Sequence, residues 1–207
     1  ASDVYKRQGT IMAASSTANT TNPTEALTVR TWRIDPAHSL IEFSARHMMV
    51  TNVKGRFATF DGAVILDEAD PSRSQVFVEI DASTVDTRNE QRDAHLRSED
   101  FLHVEQHPTI TFRSTAIEPK GPDRFLVTGD LTIRGTTRPV TLDATLNGKG
   151  TTPFGTEVVG FSAEAAINRK DWNMQKNVLL ETGGVLVGDT IKITLEIEAA
   201  LETERAA

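Results

Sequence analysis

Five histidines, His38, His47, His95, His103 and His107, are the side chains best suited to proton transfer or metal ligation. A metal centre would draw on His95, His103 and His107, which lie close together in the chain. That stretch carries no H-E-x-x-H pair, and the chain has no cysteine, so capping and surface polarity are the plainer roles and no metal is expected. His38 precedes Ser39, but nucleophile and base are defined by geometry rather than adjacency, and no G-x-S-x-G elbow is present. Gly183-Gly184 and the run TIRGTT lack the strand–turn–helix setting of a phosphate loop. Carboxylates are plentiful and none stands out as a general acid or base. Arg92, Arg97, Arg169 and Lys170 have the charge to meet a phosphate headgroup. For any one of them, solvation or an ion pair is the ordinary alternative. No catalytic residue and no cofactor is expected.

The frame that must position these residues is bounded by composition. A chain of 207 residues suits one domain and can bury a core without staples; without cysteine it has no disulfide framework. A net charge of −7 repels phosphate polymers, so nucleic acid is not an expected partner. No polybasic run is present to hold anionic lipid. No apolar run approaches the roughly 20 residues of a membrane helix, so no integral membrane segment is expected. Ser, Thr and Asn interrupt the first thirty residues, so no secretory signal is visible. The expected location is therefore cytoplasmic, or periplasmic if a leader was removed. Met12 reads as the natural start and Ala1–Ile11 as non-native. Residues 1–29 are expected to be a disordered tail, 30–201 the folded domain and 202–207 a second tail.

From Thr31 onward the pattern has period two. Ile41, Phe43 and Ala45 form one apolar row, and Val76, Val78 and Ile80 another. Further rows run through Ile110 and Phe112, through Val140 to Leu146, through Phe161, Ala163, Ala165 and Ile167, and through Ile191 to Ile197. Each alternates with polar residues, as half-buried antiparallel strands do. DEADPSRS, EPKGPDR and RGTTRP separate them as turns. Gly55, Gly62 and a parity slip near Phe57 and Phe60 predict a bulge or barrel corner. One segment breaks the pattern: a helix capped by Asp86 or Thr87 and running to about Ser98, before Pro108. The expected fold is all-β, a closed antiparallel barrel of about eight to ten strands with one short helix near a mouth. Ala45, Ala144, Ala163, Ala165 and Ala199 in the inward rows, beside Phe43, Phe112 and Phe161, leave two interiors open. One is a lumen; the other is a core in which small residues offset large ones.

Several phrases occur in a specific order. WRIDPAHSLIEFSARHMMVTNVKGRF spans Trp32 to Phe57, RDAHLRSEDFL Arg92 to Leu102, and HPTITF His107 to Phe112. VTGDLTIRGTTRPVTL follows from Val127, INRKDW spans Ile167 to Trp172, and VGDTIKITLEIEA ends the run. Together they resemble the YceI-like family across roughly residues 30 to 200. The resemblance implies a lipocalin-like barrel with a helix near one mouth. It also implies a polyisoprenoid, isoprenoid quinone or similar long-chain lipid in a central tunnel, and a homodimer. Combined with the inward rows, it gives the expected ligand contacts: Phe43, Ala45, His47, Phe57, Arg92, His95, Phe112, Phe161, Ala163, Ala165 and Trp172. One departure stands out. Asn173 occupies a place where the family usually has Gly, and Lys176 one where it has an aromatic. Asn tolerates positive φ, so the turn is compatible, while Lys176 makes a mouth more polar. The expected function is to bind and carry or store the lipid without chemistry. The alternatives are an enzyme acting on a lipid in the barrel, through His47 or a carboxylate near a mouth, and a protein-interaction module with a filled barrel.

Overall fold

The computed structural model describes residues 29–179, 181 and 186–202. The expected tails lie outside these residues except at their inner ends: Val29 opens the first strand, and the Glu202 N–H donates to the Thr31 carbonyl at 2.8 Å. The strands are β1 (Val29–Ile34), β2 (Leu40–His47), β3 (Thr51–Phe57), β4 (Phe60–Asp67), β5 (Gln75–Asp81) and β6 (Val85–Asp86). Helix α1 (Glu90–Arg97) follows. Then come β7 (Thr109–Pro119), β8 (Arg124–Ile133), β9 (Thr136–Thr151), β10 (Glu157–Asn168) and β11 (Val187–Leu201).

These segments form one antiparallel sheet that closes on itself where β1 pairs with β11. Eight long staves make the ring, because three of them are broken. One edge of β11 holds β2, with Ile41 opposite Leu195, and then β1, with Ile34 opposite Ala199, so β1 and β2 are two halves of one stave. β4 and β3 continue each other in the same way, and so do β5 and β6. The breaks fall side by side. The Asp81 N–H donates to the Thr59 carbonyl at 3.0 Å, and the Ala58 N–H to the Thr84 carbonyl at 3.2 Å. The Ser39 hydroxyl donates to the Glu198 carbonyl at 3.1 Å and accepts the Glu198 N–H at 3.0 Å, which leaves it in a structural role. The parity slip between Phe57 and Phe60 is thus a corner, and both of its ladders resume in phase with the core.

The hydrogen bonding of the ring is interrupted beside β6. β6 pairs only with β3, and β7 begins at Thr109 opposite Asp81, so no ladder joins β6 to β7. The chain from 87 to 108, with α1, fills this place. The helix begins later than Asp86 or Thr87. Its cap is Asn89, whose Oδ1 accepts the Arg92 N–H at 2.9 Å. Thr87 is already committed to the buried Asp93, through its N–H at 2.9 Å and its hydroxyl. Asp86 accepts the Arg88 N–H at 2.8 Å. Satisfying the buried Asp93 carboxylate outweighs extending a largely polar helix by one turn.

Candidate ligand-binding cavity

The inward rows enclose a cavity of about 310 Å³ whose wall is almost wholly apolar. Comparable binding pockets run from about 300 to 1,000 Å³. The filled interior left open by the residues alone is therefore not the one formed. Two phenylalanines show why. A Cβ on Gly55 would lie 2.4 Å from Phe43 Cζ, and one on Gly129 would lie 2.5 Å from Phe112 Cζ. Both rings reach with their tips over a glycine of a neighbouring strand. They coat the wall instead of meeting across the lumen. Ala163 faces Ala144 across the β10–β9 ladder and Leu195 across the β10–β11 ladder, and all three line the cavity. Two small residues side by side make a bay there.

The chain's two tryptophans are buried, one toward each end. Trp32 packs with Val64, Val159 and Ala199. Trp172 packs in the main core and donates its indole N–H to the Leu131 carbonyl at 3.1 Å. Beside Trp32, the turn after β4 is organised by Asp67. Its carboxylate accepts the N–H groups of Ala69 at 3.1 Å and Asp70 at 3.0 Å, and Arg73 Nε at 2.7 Å. The Asp70 N–H, followed by Arg73, holds this carboxyl below its ordinary value. At the opposite end Leu96, Phe101 and Leu102 contribute to the wall, so the α1 segment serves as a panel in the gap between β6 and β7. Arg134 ties this panel to the turn at Trp172, donating to the carbonyls of Phe101 and Asn173, each at 3.2 Å.

Six of the expected contacts line the lumen: Phe43, Ala45, Phe57, Phe112, Phe161 and Ala163. Five do not, and each has another place. Ala165 lies in the inward row opposite Ile193 and packs, half-buried, on the core without lining the cavity. His47 pairs with Val187 at the mouth. Trp172 is buried in the core with its indole on the Leu131 carbonyl and does not reach the cavity. His95 contacts Asp100 at 2.9 Å and meets the Phe101 ring edge-on. That contact, ahead of Lys176, keeps the Asp100 carboxyl below its usual range. Arg92 spends Nε on the Thr87 hydroxyl at 2.7 Å and Nη2 on the Thr87 carbonyl at 2.8 Å. It braces the entry to α1.

Arg169 is the residue whose role the sequence pattern concealed. Its side chain is only 2% exposed. Nε donates to the Gly188 carbonyl at 3.2 Å, and Nη1 to the carbonyls of Met174 and of Lys176, the latter at 3.0 Å. Nη2 reaches Asp189 at 3.1 Å. One guanidinium fork therefore pins the strap that follows β10 to the start of β11. The Asp189 carboxyl is held low, first by Lys170 at 2.7 Å and also by Arg169. Asn173, at φ 62°, ends the 169–172 turn in the left-handed conformation expected of it. Among the described residues, the one group able to present three ligand atoms together is Asp35, His38 and Glu198, at the corner between β1 and β2 and outside the cavity. His103 and His107 stack edge-to-face at 5.8 Å without His95. Leu96, Phe101, Leu102 and Phe125 were missed as lining residues. The Phe-Leu pair inside an otherwise polar segment was the available signal for two of them.

Relatives share this architecture. The Burkholderia cenocepacia BcnA structure superposes with a TM-score of 0.71 at 25% identity, covering 80% of this chain and 99% of that one. A polyisoprenoid binding domain from Saccharophagus degradans has the same fold, with a TM-score of 0.64 at 13% identity over 84% and 99%. Protein YceI of Escherichia coli O157:H7 is 41% identical over 141 residues, which is 68% of this chain and 73% of that protein. The family model of the YceI-like domain matches residues 32–199, from the buried Trp32 to Ala199 beside it in the core. A match that runs from one side of the barrel's closure to the other covers the whole ring, and the chain belongs to the YceI-like family.

Proposed function

We propose that this chain binds and carries or stores a long-chain apolar lipid, a polyisoprenoid or isoprenoid quinone, within its barrel. The observation that carries the proposal is the apolar cavity of about 310 Å³. Apolar cavities of about 150 Å³ already hold a benzene ring, and each buried CH₂ contributes about 0.8 kcal/mol. About ten such groups contribute roughly 8 kcal/mol before entropic costs. A wall of this kind selects by width and length and reads little else. The polyisoprenoid binding domain that shares the fold supports the ligand class. The enzyme alternative has little to stand on, because His47 does not line the cavity and the lining charged residues, Glu42 and Arg169, have partners elsewhere. A homodimer rests on the family resemblance, and sedimentation of the purified chain tests it. The function itself is tested by organic extraction of purified protein and mass spectrometry. A stoichiometric isoprenoid lipid is expected. An empty extract, with no uptake of a long-chain isoprenoid alcohol or quinone, would refute the proposal.

A further inference from the structure

The mouth beside the α1 panel is bordered by an apolar ledge. Met48, Met49 and Val50 tip the β2–β3 hairpin and are 45, 53 and 74% exposed, while Val178 and Leu179 on the strap are 53 and 83% exposed. The two segments form one surface. The Met48 N–H donates to the Leu186 carbonyl and the Leu186 N–H to the Val178 carbonyl, each at 2.9 Å. Asn177 fixes the strap, donating Nδ2 to the Val187 carbonyl at 2.7 Å and accepting the Val178 N–H at 3.0 Å and the Val187 N–H at 3.1 Å.

Three observations say what this ledge meets. The first is the turn. Met48 and Met49 have φ of 49° and 62°, in a hairpin turn where Asn and Gly are the unstrained choices. Two exposed methionines in that conformation sacrifice turn stability to keep large apolar groups at the tip. Exposed apolar side chains scattered singly need no explanation, but a contiguous group does. The second is charge. Arg46 donates Nε to the Met49 carbonyl at 3.2 Å and has no carboxylate partner among the described residues. Lys170 and Lys176 are exposed at the same end, where they also reach Asp189 at 2.7 Å and Asp100 at 3.4 Å. The sequence has no polybasic run; the fold gathers these cations from separate segments. The third is continuity with the lumen. Val187 pairs with His47, next to the tip, and Val187 and Ala45 both line the cavity.

We propose that the ledge inserts into a bilayer surface containing anionic lipid and so seats this mouth against the membrane. The apolar side chains enter the acyl boundary while Arg46, Lys170 and Lys176 stand at the level of the phosphates. The inference rests on the lipid-carrying function, since a water-insoluble cargo has to be exchanged where the mouth meets a membrane.

The test is flotation of the full chain with vesicles of phosphatidylcholine and phosphatidylglycerol in about a two-to-one ratio. The wild type is compared with Met49→Ser/Val50→Ser/Leu179→Ser and with Phe154→Ser. Phe154 is 95% exposed in the β9–β10 turn at the opposite end. Thermal unfolding and extracted lipid are measured on all three proteins. Each apolar side chain that enters the boundary is worth about a factor of ten. The triple variant should therefore lose on the order of a thousandfold in partitioning with its melting temperature unchanged, while Phe154→Ser floats like the wild type. A wild type that stays out of the vesicle fraction overturns the inference, as does a triple variant that floats equally well. Conversion of a wild-type dimer to a monomer by the triple variant, with neither floating, also overturns it and assigns the ledge to a second copy of the chain. Protein that retains extractable lipid yet does not float refutes the docking alone. Protein that floats through the ledge but takes up no lipid supports docking and refutes the carrier function.

Discussion

Replacing Ala163 with Phe separates a lumen from a packed core. Ala163 sits in the bay beside Ala144 and Leu195 and is 8% exposed. In a filled core, added bulk of this size costs typically 1–3 kcal/mol. Here the ring enters the cavity of about 310 Å³ and displaces no neighbour. It exchanges water-accessible apolar surface for wall contacts, so the delipidated protein should keep its stability within about 1 kcal/mol. A bound chain fares differently. A phenyl ring occupies the place of about four CH₂ groups, and losing their burial removes about 3 kcal/mol, more than a hundredfold in Kd. Urea unfolding of delipidated protein and titration with a fluorescent long-chain lipid measure the two effects. Destabilisation by about 2 kcal/mol or more at an unchanged urea dependence would show that the bay is packed. Stability and affinity both retained would place the lipid elsewhere. Either result refutes the reasoning.

Three other substitutions probe the supports of the site. Arg169→Ala strips the strap of its buried fork and should cost about 3–5 kcal/mol in denaturant unfolding, with Arg169→Lys unable to restore it; a loss below about 1 kcal/mol would mean that the strap holds itself. Gly55→Ala drives a methyl group into Phe43 and should lower stability by about 1–3 kcal/mol, with the ring pushed toward the lumen and lipid affinity reduced; an unchanged melting temperature would contradict the close approach. The Asp35 carboxylate, 2.8 Å from His38 Nδ1, raises the His38 pKa above 6.5, while the same contact lowers that of Asp35 below 3.8. The share of stability from His38 is then complete below pH 6.5 and is lost as pH rises through the raised value; that from Asp35 is complete above pH 3.8 and is lost as pH falls through the lowered one. Asp35→Asn should bring the His38 titration, followed by NMR, back toward 6.5, and an unmoved midpoint would disprove the coupling.

The barrel was legible because inward and outward residues alternate cleanly on β2, β5 and β7 and from β9 to β11, and because the turn sequences fall where the strands end. The corner was legible as well, from two glycines and a parity slip. Less visible was the reason for the lumen, since it depends on which ring lies over which glycine. Phe43 over Gly55 and Phe112 over Gly129 are pairs that only strand register brings together. The charged site residues misled for a related cause. Arg92 and Arg169 look equally free in a string of letters, yet one braces Thr87 and the other is sealed under a strap by carbonyl groups that carry no sequence signature. Backbone acceptors are the same at every position, so a side chain that binds them leaves no trace in residue types. Ala165 has the facing that its row predicts and packs on the core, although Ala163, one step along the same row, is the alanine that lines the cavity.

Rings seated on glycines also have a calorimetric consequence. A lumen whose walls hold themselves apart leaves apolar surface open to water in the folded, lipid-free chain. Unfolding then exposes less new apolar surface than a filled barrel of the same length would, so its heat-capacity increment should fall below the roughly 12–15 cal/mol/K per residue of packed domains. Lipid covers that wall, and loading should carry a negative heat-capacity change. The cargo supplies, from outside the chain, the dry interior that the fold leaves unfinished.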